Sequence, residues 1–292
     1  MINMDELRRL EPLFGTWYLE REIGEGSFGK VYALKKTDFG NDYFSALKLI
    51  SIPRSRSEIS ALRSEGMDED SIRTHYEQAV ADVVSEFNLM AQFRGNSNIV
   101  SYEDHMVLPR EDGYGYDVFI RMELLDSLVD ILTEKQFSRK DVILLGIHLC
   151  RALELCQKYN IIHRDIKPEN IFRSKHGDFK LGDFGIARMA EKTTGDMSKK
   201  GTYTYMAPEV YKDEPYGSGV DLYSLGIVLY RLLNGNRTPF LPAYPAPISH
   251  TDREKALARR MSGERIPSPT GTEGRLMEIV MKAVEYKSED RF

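Results

Sequence analysis

Three glycines spaced as Gly24-x-Gly26-x-x-Gly29 run directly into Lys30-Val31-Tyr32 and a strand-like stretch to Lys35, and this placement constrains the fold more than any other feature. Upstream, Trp17, Leu19, Arg21 and Ile23 alternate with Tyr18, Glu20 and Glu22, the period of two expected of a strand. Glycines joining two strands make a hairpin. A dinucleotide-binding crossover needs them to open a helix, with an acidic residue about 20 positions on. An open parallel sheet built on that crossover is therefore excluded. Glycine lets the backbone approach phosphates closely and take φ values that other residues resist, so the hairpin reads as a lid.

The rest of the first third continues in strands. Phe44 to Ile50 is a third, and Ile99 to Leu108 and Tyr116 to Met122 are two more, separated by the turn-rich Pro109 to Gly115. A long helix interrupts them from about Ser71 to Phe93, with an apolar stripe of Val80, Val83, Val84, Phe87 and Met90. The preceding Ser51 to Asp70, rich in Ser, Arg and Glu, reads as a surface loop or a short extra helix. The remainder is mainly helical. Ser138 with Asp141 three residues on gives a capping signal. The helix it opens runs to about Tyr159 and is apolar on nearly all sides from Val142 to Leu155, which predicts burial. Val220 to Leu233 is a second apolar helix, ended by Asn234-Gly235. Arg237 to Pro247 carries four prolines and reads as loop, and Asp252 to Met261 and Glu273 to Val284 read as amphipathic helices. The expected class is α+β in two lobes: an antiparallel five-stranded sheet with one main helix, then a helical part.

With 292 residues the chain is long enough for two separate cores. Its 41% apolar and 29% charged residues are an ordinary globular mix, and the net charge of -5 argues against nucleic acid as the main partner. The two cysteines, Cys150 and Cys156, fall in the first apolar helix and read as buried, reduced thiols. No apolar run reaches the ~18 residues of a membrane span and the N-terminus has no signal-peptide pattern, so the expected location is cytoplasmic. The chain stops at Asp290-Arg291-Phe292, inside what reads as a continuing fold. The expectation is a domain of a longer protein, whose remainder has room for a membrane anchor.

The densest chemistry lies between 163 and 183. His163-Arg164-Asp165 is followed five residues later by Asn170, and Asp183-Phe184-Gly185 comes thirteen after that. Phosphoryl transfer from a magnesium nucleotide needs a group to receive the acceptor's proton, oxygen ligands for the metal and charge to hold phosphates. Asp165 suits the first role, and Lys167 would neutralise the transferring group. Asn170 and Asp183 offer one neutral and one charged oxygen of the hard type magnesium prefers. Any one of these alone is an ordinary turn residue or cap; the order and spacing of all of them is not. Lys48, mid-strand in Ala46-Leu47-Lys48, is costly to bury without a partner, and Glu86 beside the stripe of the long helix is the expected one.

Read together, these motifs resemble those of the eukaryotic-type protein kinases, with serine/threonine character, over nearly the whole chain. The set runs Gly24-x-Gly26-x-x-Gly29-x-Val31, Ala46-Leu47-Lys48, His163-Arg164-Asp165 through Asn170, Asp183-Phe184-Gly185 and Ala207-Pro208-Glu209. One departure is Ser45 where the family often has Val. The resemblance implies a bilobal fold: an N-terminal extension over 1–16, an N-lobe over 17–122, a hinge over 123–126 and a C-lobe over 127–292. It implies ATP between the lobes with magnesium, or manganese in its place. Met122 would be the gatekeeper and Glu123 to Leu125 the hinge that pairs with adenine, with Val31, Ala46 and Phe172 sandwiching the ring. Lys48, held by Glu86, would contact the α- and β-phosphates. Asp221 would brace the catalytic loop, and Arg291 would pair with Glu209. The connection from Lys48 to Glu86 is longer than the family commonly uses, and residues 52 to 70 are expected to pack on the long helix or on another molecule.

Lys167, two residues after Asp165, and Thr202, just before Ala-Pro-Glu, resemble the serine/threonine branch. Arg164 resembles the arginine that receives a phosphate from the activation segment, where Thr193, Thr194 and Ser198 are candidate autophosphorylation sites, with a homodimer as the setting. The implied partners are protein substrates with Ser or Thr acceptors. A scaffold that binds nucleotide without catalysis is the main alternative, but such proteins usually lose equivalents of Lys48, Asp165 or Asp183, all present here. Small-molecule kinases generally lack the Ala-Pro-Glu segment and the helix with Asp221.

Overall fold

The computed structural model describes residues 4–26, 29–111, 113–184 and 202–292, without the side chains of Glu86, Leu89 and Thr202. Within them the chain forms two compact units: residues up to Leu125 with Asp183 and Phe184, and residues 126–182 with 202–292. The architecture is the expected α+β class, an antiparallel five-stranded sheet in the first unit and a mainly helical second unit.

In the first unit the strands are β1 (Tyr18–Gly26), β2 (Gly29–Asp38), β3 (Asn41–Ile52), β4 (Tyr102–Pro109) and β5 (Tyr116–Met122), in the order β1-β2-β3-β5-β4. Period-two alternation gives the sheet two apolar faces. Tyr32, Leu34, Leu47, Leu49 and Phe119 point one way and must be covered. The cover comes from the N-terminus: Leu7 of α1 (Met4–Arg8) and Leu13 pack there with no more than 1% of their surface exposed. Burying each leucine is worth roughly 1.5–3 kcal/mol. Glu11 accepts the Leu19 N–H at 2.6 Å, and the Arg121 guanidinium lies 5.7 Å from the Phe14 ring and 4.9 Å from Trp17.

The long helix α3 (Glu69–Ala91) packs against β3, β4 and β5, burying Val83, Phe87 and Met90. Of the two readings of residues 51–70, the short extra helix is the one found: Ser51 and Ile52 extend β3, and α2 (Arg56–Ser64) follows. Helix α2 buries Ile59 and packs on α3. Arg63 clamps Glu69 with two bonds of 2.8 and 3.0 Å, and both Arg63 and Arg73 lie over the Tyr114 ring.

The second unit has a small sheet, β6 (Asp126–Ser127), β7 (Ile171–Arg173) and β8 (Phe179–Leu181), with α4 (Leu128–Glu134), α5 (Arg139–Lys158), α6 (Pro208–Tyr211), α7 (Gly219–Leu233), α8 (His250–Met261) and α9 (Arg275–Ala283). Ser138 and Asp141 cap α5 reciprocally, and Ser249 and Asp252 do the same for α8. Helix α5 corrects one expectation. It packs on α7 and β8 along a single face, burying Leu145, Leu149, Ala152 and Cys156, while Ile143, Ile147 and Cys150 are exposed. Burial pushes the Cys156 thiol up to about 12, so it stays protonated. The helix buried nearly all round is α7, with eleven of fifteen residues inside. It ends at Asn234 with Gly235 at φ +59. Ile161 and Ile162, just before the 163–170 loop, form no strand.

Candidate active site

The first unit contributes the glycine hairpin and a buried ion pair. Glu25 pairs with Lys30 and Gly26 with Gly29, closing a hairpin whose tip, Ser27 and Phe28, lies outside the described residues. Gly29 has φ +146, and a Cβ there would stand 1.8 Å from the Leu49 carbonyl oxygen, so its lack of a side chain serves close approach to β3. The cross-strand pairs Val31–Lys48, Ala33–Ala46, Ala46–Met122 and Lys48–Ile120 put Val31, Ala46, Lys48 and Met122 on the sheet face opposite the N-terminal cover. Lys48 is 4% exposed, and its Nζ lies 2.5 Å from Asp183 Oδ1. Asp183 takes φ +55, a conformation uncommon outside glycine, and the next residue, Phe184, is buried with its ring 6.1 Å from Phe93. Glu86 lies on α3; its side chain is outside the description.

At the end of β5, the buried Ser45 hydroxyl donates to the Met122 carbonyl at 2.6 Å. Glu123 donates its N–H to the Ser101 carbonyl (3.1 Å) and accepts the Ser101 N–H on its carboxylate (2.6 Å). Leu125, half-buried, ends the unit. Ser45, the residue that departs from the usual Val, is thus a clamp on the segment expected to read adenine.

The second unit holds the 163–170 loop on a buried carboxylate. Asp221, 2% exposed at the start of α7, accepts the N–H groups of His163 and Arg164, both at 2.8 Å. Burial pushes this carboxyl up, while His163, the two N–H bonds and Arg164 oppose that shift. His163 Nδ1 accepts the Asp165 N–H at 3.3 Å, so the ring's proton sits on Nε2, 2.9 Å from the Gly182 carbonyl. Arg164 takes φ +67, and its guanidinium lies 5.6 Å from the Tyr216 ring centre. Asn170 donates its amide N–H groups to the Asp165 carbonyl (2.7 Å) and carboxylate (3.0 Å), and Lys167 Nζ is 2.8 Å from the same carboxylate. Phe172 is half-buried on β7, opposite Ser127.

Further along, Arg291 grips Glu209 with Nη1–Oε1 at 2.6 Å and Nη2–Oε2 at 2.9 Å. Thr202 opens the turn Thr202–Thr204. Thr193, Thr194 and Ser198 fall outside the described residues. Within each unit the structure thus brings Lys48 to Asp183, Asp165 to Lys167 and Asn170, Asp221 to the His163–Arg164 backbone, and Arg291 to Glu209.

A carboxylate held between an ammonium and an amide, and a buried lysine paired with a second carboxylate, suit the handling of phosphates and of a hydroxyl proton. The family described as protein kinase domain matches residues 17–292. The chain belongs to the protein kinase family. This kinase domain is 33% identical over 216 residues to the serine/threonine-protein kinase Nek1 of Mus musculus, covering 73% of the chain and 16% of that protein. It is 26% identical over 279 residues to the Aurora kinase of Saccharomyces cerevisiae (94% and 65%) and 31% identical over 238 residues to human serine/threonine-protein kinase 32B (78% and 50%). The chain spans less than two thirds of the length of each of these relatives. The family as a whole uses ATP and a divalent metal and acts on protein substrates. Among the described residues no helix is long and apolar enough to cross a membrane.

Proposed function

We propose that this kinase domain transfers the γ-phosphoryl group of ATP to Ser or Thr hydroxyls of proteins. The observation that carries the reading is Asp165, whose carboxylate is fixed by both Asn170 and Lys167. Asp165 takes the acceptor's proton. Lys167 spreads positive charge to the transferring oxygens, and Lys48 turns from Asp183 to the α- and β-phosphates. The donor set fits magnesium: Asn170 spends its N–H groups on Asp165, which leaves its amide oxygen as the ligand end, and Asp183 has an oxygen, Oδ2, that Lys48 does not hold. Magnesium, when bound, neutralises phosphate oxygens. With a loose transition state, the protein's contribution is position and electrostatics. Val31, Ala46 and Phe172 are the residues proposed to meet adenine, with Met122 as gatekeeper and the 123–125 backbone as hinge.

Lys167 and Thr202 favour Ser/Thr over Tyr acceptors. Autophosphorylation on Thr193, Thr194 or Ser198, read by Arg164, is part of the same proposal, with two copies meeting to do it. The test is radiolabelled ATP with magnesium and generic protein substrates, followed by identification of the labelled residue. Asp165→Asn should lower transfer by roughly 10²–10⁴-fold, the usual contribution of a positioned base. Lys48→Met and Asp183→Asn should act likewise, with folding intact. Substantial transfer by Asp183→Asn contradicts the metal assignment, and ATP uptake without transfer by the unaltered chain favours a scaffold.

A further inference from the structure

A cavity of about 280 Å³ opens in the second unit, walled by Glu169, Tyr205, Arg231, Arg253 and Arg260. Glu169 sits in the turn Pro168–Asn170, four residues after Asp165, so one wall belongs to the segment that carries the proposed proton acceptor. The other charged walls come from α7 (Arg231) and α8 (Arg253 and Arg260).

The cavity is a built cationic site. Arg260 is 4% exposed; its Nη2 donates to the Tyr203 carbonyl at 2.6 Å and its Nη1 to that of Thr204, while its Nε is buried with no hydrogen-bond partner. Burial lowers its pKa, the cost of holding a cation among neutral groups. Arg231 donates Nε to the Asn236 side-chain oxygen at 2.6 Å and Nη1 to the Tyr205 hydroxyl, again neutral acceptors. Arg253 is exposed at the rim. Among the described residues none of the three guanidinium groups forms an ion pair, and Glu169 is the one carboxylate in the wall. The chain's net charge is -5, so this positive charge is local. Guanidinium groups are the preferred partners of carboxylates and phosphates, and uncompensated charge at a partly buried site favours an anion.

We infer that the cavity receives an anionic side chain of the protein substrate, Asp, Glu or a residue already phosphorylated, close in sequence to the hydroxyl to be modified. The inference rests on the kinase reading proposed above. It makes Arg231 and Arg253 specificity-determining residues, and makes Glu169 an opposing charge that tunes the preference.

The test is a peptide series with one Ser or Thr acceptor, neutral flanks, and Asp, phosphoserine or Arg placed singly at each neighbouring position. The chain should prefer an anion at one position by roughly tenfold in kcat/KM, equivalent to about 1.4 kcal/mol. Phosphoserine exceeding Asp would mark a primed substrate, and equality an acidic one. Arg231→Glu combined with Arg253→Glu should reverse the acid-to-neutral ratio, and Glu169→Gln should raise it. Arg260 is left intact because it holds backbone carbonyls, and a thermal melt confirms folding of each variant. A flat profile in the unaltered chain, or a ratio unmoved by the double substitution, overturns the inference while leaving the kinase reading in place. Failure to label any peptide or itself removes the kinase reading as well.

Discussion

Arg291→Ala should destabilise the second unit by about 3–5 kcal/mol, the usual cost of leaving one member of a buried ion pair behind. The guanidinium has no exposed surface and Glu209 has 10%, so water cannot readily replace the lost partner. The side chain also donates Nε to the Glu285 carbonyl (2.8 Å) and Nη2 to that of Tyr286 (3.0 Å), and it lies 4.7 Å from the Tyr223 ring centre. Each orphaned carbonyl adds about 1 kcal/mol, which puts the expectation toward the upper end. At about 2–4 °C per kcal/mol for a body of this size, the melting temperature falls by roughly 6–20 °C. Urea unfolding followed by far-ultraviolet circular dichroism measures it. The single tryptophan, Trp17, lies in the first unit, so its fluorescence is an internal control. Arg291→Lys keeps the charge but not the fork and should fall between the two. Glu209→Gln with Arg291→Met should recover much of the loss. A change below 1 kcal/mol for Arg291→Ala would refute the argument that this pair holds the unit together.

Gly226→Ala should destabilise by about 1–3 kcal/mol despite alanine's better helix propensity, because the new Cβ would lie 2.8 Å from Val284 Cγ1 and 2.9 Å from Ala283 Cβ; differential scanning calorimetry reads it. Ser45→Val removes the hydroxyl that holds the Met122 carbonyl and should cost the first unit about 1 kcal/mol, visible in the Trp17 unfolding curve. His148 accepts the Phe179 N–H on Nδ1 at 3.0 Å, and burial, opposed by Asp178, lowers its pKa from 6.5. The unfolded chain therefore binds a proton near pH 6.5 that the fold resists, and stability should decline as pH falls below that value. Urea midpoints at pH 7.5 and 5.5 should converge in His148→Asn relative to the unaltered chain, and an unchanged gap would contradict this.

The hairpin, the sheet and the 163–183 constellation were legible because their chemistry demands particular residue types at fixed spacing. What was hidden depended on distance in sequence. That Lys48 also meets Asp183, 135 positions away, could not be read locally; the expected pairing with Glu86 lies outside the described side chains. The spacing of Asn170 and Asp183 suggested metal ligands, but nothing local showed that Ser45 would hold Met122. Helix α5 read as wholly buried because Ile143, Ile147 and Cys150 are apolar; which side faces solvent depends on where α7 and β8 pack. Helix α2 was hard to tell from a loop because it buries only Ile59. Arg231 lies more than twenty positions before Arg253 and Arg260, so only folding gathers the arginines of the α7–α8 cavity.

Leu7 and Leu13 lie ahead of residue 17, where the family match begins. A fragment trimmed to that homology boundary would shed its own lid of leucines and leave Leu34, Leu47 and Phe119 wetted on an open β-surface. Such a truncated catalytic piece would be sticky in solution even with every motif intact, and recombinant expression should start upstream of Met4. For this molecule, the boundary drawn by ancestry and the boundary drawn by solvent differ by about a dozen residues.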